Sequence, residues 1–325
     1  MISNVGIVAI GRNEGDRLTK CLESATRFSA FVVYVDSGSM DDSASRAREI
    51  GSDVVELDMR LPFTAARARN AGFERLRQLA PDRPYVQFVD GDCEIVAGWI
   101  EKAAAYLDGH PDVAVVCGRR RERFPERSVY NWLCDVEWNT PVGETRACGG
   151  DALMRIEAFE QVGGYRADVI AGEEPELCVR LRAAGWRVFR LDADMTLHDA
   201  AMTRFGQWWR RALRSGYGSA LGAQLHGAPP ERHGVWASRR AWLWGLWLPL
   251  ACLASGVFLG PWGWAAWLIY PAQVVRQVVR NRGTPWERAT LALFQMLARF
   301  PECAGQIRFL TDRLLGRSAR LIEYK

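Results

Sequence analysis

Lysine is almost missing from this chain of 325 residues: among 42 basic side chains, only Lys20, Lys102 and Lys325 are not arginine. The net charge of +4 is small for the length, and no dense basic stripe is present, so a nucleic-acid partner is not expected. None of the eight cysteines falls in a CxxC pair, and the four histidines lack HxxxH spacing, which excludes a structural zinc site. Cys21, Cys93, Cys117, Cys134, Cys148, Cys178, Cys252 and Cys303 are scattered and read as buried small hydrophobes in a reducing compartment. Neither GxGxxG nor GxxxxGK[ST] occurs, so a dinucleotide fingerprint and a P-loop are both unsupported. No basic region followed by an apolar run precedes Gly6-Ile7-Val8-Ala9-Ile10, and the catalytic part is therefore expected to stay in the cytoplasm. Charge itself is missing from one long stretch, residues 241–275.

What is present is a soluble balance, 49% apolar and 25% charged, at a length suggesting roughly two domains. Residues 5–10, 31–35, 54–57 and 85–89 are short β-rich runs. They alternate with helical patterns over 16–26, 42–50 and 64–79. Such alternation predicts βαβ units and a mostly parallel sheet with helices on both faces, in which ligands bind at the carboxyl ends of the strands. The residues just past those strands are polar: Gly11-Arg12-Asn13-Glu14, Asp36-Ser37-Gly38-Ser39-Met40-Asp41 and Asp90-Gly91-Asp92. Asp90 and Asp92, separated by a glycine, can aim at one hard cation that fills its remaining sites with water and phosphate oxygens.

The uncharged stretch reads AWLWGLWLPLACLASGVFLG and then PWGWAAWLIYPAQVV, long enough for two short spans joined at Gly260-Pro261. Arg239 and Arg240 precede it, and Arg276, Arg280 and Arg282 follow. With both flanks positive, an even number of crossings or a re-entrant hairpin is expected. Trp242, Trp244, Trp262, Trp264 and Trp267 suit an interfacial belt. A buried helical hairpin in a soluble domain is the alternative. Farther on, Trp286 to Leu315 has the composition of a basic amphipathic helix broken at Pro301, either lying on an anionic leaflet or packed on its own domain.

VAIGRNEGDRLTKCLES, VVYVDSGSMDDSASRARE, ARARNAGFE, YVQFVDGDCEI, CGGDALMRIEAFEQVGGYR and GEEPELCVRLRAAGWRV, in this order, resemble glycosyltransferase family 2 over about residues 5–215. The resemblance implies the GT-A fold, α/β and Rossmann-like. It also implies an inverting transferase that takes a sugar from a nucleotide-diphosphate donor with Mn2+ or Mg2+. UDP is the first expectation for the donor, with GDP or dTDP possible, because Ser37 stands where a second aspartate often occurs. By resemblance, Arg12, Asn13, Glu14, Asp36, Arg69 and Asp90 face the nucleotide sugar, and Asp92 binds the metal, with His198 completing its shell. Glu174 occupies the place of the family's catalytic aspartate one methylene longer, with Glu173 beside it as the other candidate base.

Independently of the resemblance, Glu173 and Glu174 stand just before Pro175, which suits a helix entrance, with Leu177 and Leu181 on one face and Gly185 as the stop. They can equally serve as N-terminal charges complementing the helix dipole. Gly149 and Gly150, with Gln207 and Arg210 of Gln207-Trp208-Trp209-Arg210-Arg211, are candidates for the acceptor or diphosphate. That last motif resembles a processive signature except that its final tryptophan is Arg211, so a single transfer is expected. An interface helix is the competing reading of the same segment.

The expected organisation is a catalytic domain over 1–215, a linker over 216–240, a hydrophobic membrane hairpin over 241–280 and basic amphipathic helices over 281–325. The hairpin suggests a lipid-linked or glycan acceptor, an inner-membrane location and a role in surface polysaccharide or glycolipid assembly. Two other classes are weighed. A non-catalytic scaffold has no need of both acidic pairs. A nucleotidyltransferase would show a better phosphate loop than Gly11-Arg12-Asn13-Glu14-Gly15.

Overall fold

The computed structural model describes residues 4–317 and separates into two units, one ending at Thr203 and one beginning at Arg204. The first is α/β. Its strands are β1 (Val5–Gly11), β2 (Val32–Asp36), β3 (Asp53–Glu56), β4 (Tyr85–Asp90), β5 (Cys93–Ile95), β6 (Val113–Glu122), β7 (Gly143–Glu144), β8 (Ala152–Arg155) and β9 (Arg187–His198). They form one sheet in the order β3-β2-β1-β4-β8-β6-β9-β5, with β7 on β9. The β3-β2-β1-β4 half is parallel, while β8 runs antiparallel to both β4 and β6. Helices α1 (Asp16–Phe28), α2 (Ser43–Glu49), α3 (Ala65–Leu79), α4 (Trp99–Gly109), α5 (Val129–Glu137), α6 (Ile156–Gln161) and α7 (Glu173–Ala183) complete the unit.

Of the parallel strands, β1, β2 and β4 are buried along nearly their whole length, as the unalternated runs Gly6-Ile7-Val8-Ala9-Ile10 and Val32-Val33-Tyr34-Val35 require when both faces are covered, while the edge strand β3 is half-exposed. α3 begins where Thr64 accepts the N–H of Arg67 (3.1 Å), a side-chain N-cap. Gly72 lets that helix approach the sheet, since a Cβ there would overlap Val8. All eight cysteines are free and buried, and the Sγ atoms of Cys148 and Cys178 lie 3.7 Å apart.

The second unit is helical: α8 (Phe205–His226), α9 (Val235–Trp242), a π-helical turn (Leu243–Trp247), α10 (Leu248–Phe258), a 3-10 segment (Gly260–Leu268), α11 (Ile269–Arg280), α12 (Pro285–Leu297) and α13 (Arg299–Leu314). The expected linker over 216–240 is instead largely helix, because α8 runs on to His226 and α9 begins at Val235. The unit boundary also falls ahead of residue 215. From Val235 to Phe258 the chain is one continuous helix of 24 residues, long and apolar enough to cross a membrane. The second expected span is broken into 3-10 and α segments. The expected break at Pro301 falls at Ala298 instead, and Pro301 sits in the first turn of α13, where its missing N–H costs no bond.

Of the two readings of that last segment, packing on its own domain is the one observed for α13, whose Pro301, Cys303, Gly305, Gln306 and Phe309 are buried. Residues 318–325 of the expected basic stretch lie outside the described residues. The α8/α13 contact is backbone on backbone: a Cβ at Gly305 would overlap the Leu213 carbonyl, and one at Gly216 the Glu302 carbonyl. Gly305→Leu should therefore force the helices apart and destabilise the unit by about 1–3 kcal/mol or more. Thermal unfolding followed by circular dichroism should show a lowered midpoint; an unchanged midpoint would mean the contact carries no weight.

Candidate active site

Strand register decides which side chains converge. Gly11 pairs with Asp36 across β1/β2 and Ile10 with Asp90 across β1/β4, so the loops after these strands open on one edge of the sheet. In the first loop Asn13 adopts a left-handed φ of 55°. Its Oδ1 accepts the Met40 N–H (2.7 Å) and its own N–H donates to Ser39 Oγ (2.9 Å). Asp36 is buried, accepting the Tyr34 hydroxyl (3.1 Å) and the N–H groups of Gly38 (3.1 Å) and Ser39 (2.9 Å). Asn13 and Asp36 thus lock two expected donor-site loops together. Glu14 pairs with Arg17 at 2.8 Å, and Arg12 is half-buried beside it.

Arg69 is the centre of the arrangement. Buried on α3, it reaches Asp90 Oδ1 through Nη2 (2.8 Å), and Glu173 Oε1 and Glu174 Oε1 through Nη1 (3.0 Å each). Burial disfavours its charge, yet Glu174, Asp90 and Glu173 together hold the guanidinium protonated well beyond its usual range. The two glutamates open α7 behind Gly172, in the left-handed conformation at φ 80°, as the Pro175 and Gly185 pattern predicts. Burial and the neighbouring Glu173 carboxylate push the Glu174 carboxyl up to about 7, against the pull of Arg69. Gly150 lies on the other side of Arg69. A Cβ there would stand 2.6 Å from Arg69 Nη2 and 2.7 Å from Asp90 Oδ2, so only glycine fits, whereas Gly149 has open space.

The second carboxylate of the pair, Asp92, is buried against His198, with Oδ2 at 3.2 Å from Nε2. Irregular pairing carries β9 past Leu191, and His198 is its last residue, opposite Cys93 on β5 and Glu122 on β6. Glu122 Oε2 lies 3.3 Å from Nδ1 of the ring, leaving Nε2 facing Asp92. An aspartate oxygen suits Mn2+ or Mg2+, and the imidazole nitrogen beside it favours the transition ion of the two. Cys93, third in this cluster, donates its S–H to Asp92 Oδ1 (3.5 Å). The donor set fits a divalent cation held by Asp92 and His198.

Three contributors were not singled out from sequence: Glu122, Arg120 and Asp151. Arg120 grips Asp151 through Nε (2.9 Å) and Nη2 (2.8 Å) and reaches Asp90 Oδ2 at 3.2 Å. Asp151, fully buried, also accepts the Asp90 N–H (3.0 Å) and the Thr196 hydroxyl (2.6 Å). A signal existed for Asp151, the acid after Gly149-Gly150. Arg120 and Glu122 were hidden in the run Arg119-Arg120-Arg121-Glu122, whose alternation only the sheet resolves. Gln207 and Arg210 belong to the second unit, on α8, where both serve the first turns of the helix. Gln207 Oε1 accepts the Arg204 N–H (3.0 Å), and Arg210 Nε donates to the Gly206 carbonyl (3.3 Å).

Comparison with known proteins agrees with this geometry. The family model for glycosyl transferase family 2 matches residues 7–163. An uncharacterized glycosyltransferase of Mycobacterium tuberculosis is 32% identical over 173 residues, 50% of this chain and 71% of that one. The succinoglycan biosynthesis protein ExoA of Rhizobium meliloti is 28% identical over 196 residues, 55% of this chain and 58% of its own length. Among solved structures, a mannosyltransferase from Pyrobaculum calidifontis in complex with GDP-Man and Mn2+ superposes with a TM-score of 0.60 at 20% identity. The match covers 97% of this chain and 88% of that one.

Replacing Arg69 by methionine would leave Glu173 and Glu174 without their cation and Asp90 with Arg120 alone. The expected loss is about 3–5 kcal/mol. Because those carboxylates would repel one another only when ionised, the loss should shrink as pH falls through the raised range of the Glu174 carboxyl. Urea unfolding at acid and neutral pH tests both points, and equal losses at the two pH values would contradict the ion-pair account.

Proposed function

The chain belongs to glycosyl transferase family 2 and has its GT-A fold, and we propose that it moves one sugar, with inversion, from a nucleotide-diphosphate donor to a lipid-linked or glycan acceptor. The observation that carries this reading is the Arg69 junction, which holds the donor-side carboxylate Asp90 and the acidic pair Glu173/Glu174 on one guanidinium. A donor bound at Asp90 and an acceptor hydroxyl presented to Glu174 are thereby brought to the same point. Asp36, Arg12, Asn13 and Glu14 line the nucleotide end.

In the single displacement, the acceptor oxygen attacks the anomeric carbon as the bond to the diphosphate oxygen breaks, and the hydroxyl proton passes to Glu174. Glu173 keeps that base weakly acidic and Arg69 orients it. Asp92 and His198 would hold Mn2+ or Mg2+, whose positive charge offsets the charge that develops on the diphosphate. The apolar helix and the arginines around it support attachment to the inner membrane with the catalytic unit in the cytoplasm. Assembly of a surface polysaccharide or glycolipid is the matching role.

Calorimetry of the detergent-purified protein with UDP, GDP and dTDP, with and without Mn2+, tests the donor site. One nucleotide should bind in a metal-dependent way and lose that dependence in Asp92→Ala. If folded protein binds none of them, the reading falls. Glu122→Gln should keep the fold and weaken Mn2+ binding by about 10–100-fold, as loss of an outer-shell partner of a ligating histidine does. Titration followed by Mn2+ electron paramagnetic resonance reads this without any turnover.

The rate should fall as pH drops below about 7, because Glu174 must be ionised to accept the proton and its carboxyl is held near that value. In Glu174→Gln that limb should vanish together with nearly all turnover, while nucleotide affinity persists. A pH profile unchanged by the substitution would move the base to Glu173.

A further inference from the structure

We propose that the second unit attaches to the membrane as a wedge one leaflet deep: the hairpin formed by α10 and the 3-10 segment enters the bilayer from one side and returns. This deepens, and rests on, the membrane reading above. Four observations carry it, all within the helical unit.

The proximal part of the long helix is occupied by protein. Ala241 is buried, and Gln306 Nε2 donates to Ser238 Oγ (3.0 Å). Cβ atoms at Gly234 and Gly245 would overlap the Ser219 and Arg299 carbonyls. Arg239 and Arg240 also lie in this part. The full helix could span by length alone, but its first half carries two arginines and packs one face on protein, while from Trp247 onward only Cys252 and Gly256 are buried.

This distal part is strongly apolar and unpartnered at its tip. Val257 is 73% exposed, Phe258 83%, Leu259 68% and Trp262 88%. A soluble hairpin would place polar side chains here, and this one carries no charge from Ala241 to Val275.

The hairpin doubles back. Gly260, at φ 64°, makes the turn. The returning leg then packs tightly on the outgoing one: a Cβ at Gly263 would overlap the Ser255 carbonyl, and one at Gly256 would stand 2.6 Å from Trp264. Ser255 Oγ donates to the Gly263 carbonyl (2.8 Å), so a polar atom in the hairpin is satisfied internally, as hydrocarbon requires. Farther back the Tyr270 hydroxyl donates to the Trp244 carbonyl (2.7 Å), closing the base of the hairpin. Both legs end on the side from which they began.

The depth matches one leaflet. From Trp247 to Leu259 a helical rise of ~1.5 Å per residue gives about 18 Å, and the returning 3-10 segment at ~2.0 Å per residue covers a similar length. Half of a hydrocarbon core about 30 Å thick is about 15 Å. Arg239 and Arg240 before the hairpin and Arg276, Arg280 and Arg282 after it complement anionic headgroups on that one face. The occupant of the apolar tip is therefore a bilayer containing anionic lipid.

The test uses the full chain with vesicles of phosphatidylcholine alone or mixed equally with phosphatidylglycerol. Flotation should show binding at least about tenfold tighter to the anionic vesicles, given about 1 kcal/mol per arginine near the surface. Phe258→Glu with Trp262→Glu should abolish binding while nucleotide affinity stays unchanged, which also verifies that the variant is folded. Arg276→Gln with Arg280→Gln should lose the anionic preference instead. A polarity-sensitive dye on Leu259→Cys should shift to the blue on binding and be reached by a water-soluble quencher from neither side of the vesicle.

Quenching from the vesicle lumen would mean a spanning helix and overturn the wedge. So would undiminished binding by the double glutamate variant. Dimerisation without vesicle binding would overturn it too, assigning the tip to a second copy of the chain. Transfer to a soluble acceptor but not a lipid-linked one, with vesicle binding intact, would sink the acceptor proposal and leave the wedge standing.

Discussion

A guanidinium cannot be buried without compensation, and the catalytic unit is arranged around that constraint at Arg69. Its stem lies inside α3, so its charge has to be met by groups carried in from elsewhere in the chain: Asp90 from the end of a central strand, Glu173 and Glu174 from the start of α7. Removing a buried charge from its partners costs several kcal/mol, so the three segments are coupled as strongly as any apolar contact in the core couples its neighbours. Gly150 follows from the same constraint, since any side chain there would enter the space of the ion pair. The tie also runs onward. Arg120 joins Asp90 to Asp151, and Asp151 in turn fixes the backbone N–H of Asp90, so the strand end is held from both faces.

This arrangement balances charge only in part. Around the two guanidiniums stand Asp90, Asp151, Glu173 and Glu174, with Asp92 beside them next to His198. Burial and this excess negative charge raise the carboxyl of Glu174 toward neutrality, and the cation proposed for Asp92 and His198 would sit in the same negative field. A lone carboxylate in water would be a feeble base near pH 7; crowding and burial make it a competent one. The proposed metal site and the proposed base therefore share one distribution of charge.

How far the sequence was legible follows from which forces are local. β1, β2 and β4 were readable because strands covered on both faces must be apolar throughout, and the observed bounds of β1, β2, β3 and β4 differ from the expected ones by no more than one residue at either end. The helix start at Glu173 was readable because Pro175 and Gly185 act locally. Asp90, Asp92, Arg69, Glu173 and Glu174 were each singled out, but that one arginine joins three of them is a fact of register and packing that no local pattern encodes. That His198 ends a strand was not legible, because bulges against β6 let β9 run on where the apolar alternation fades. Glu122 and Arg120 were invisible for a related reason: in a run of charged residues on a strand, which ones face inward depends on the neighbours.

The helical unit inverts the logic of the first. There, charge is buried and specified by partners; here, glycine does the specifying. Gly216, Gly305, Gly245 and Gly263 each let one backbone lie directly on another, Gly256 admits the Trp264 ring, and they fall both in the packed base and in the hairpin. Such contacts need no hydrophobic driving force, which is why small residues pack helices in lipid as well as in water. A hairpin closed by glycine contacts keeps its shape when its outer surface moves from water to hydrocarbon, because its internal cohesion does not depend on the solvent. That independence is what permits Phe258, Leu259 and Trp262 to remain uncovered by protein. Their exposure is costly in water at roughly 25 cal/mol per Å² of apolar surface. The same term becomes the driving force for insertion once a bilayer is present.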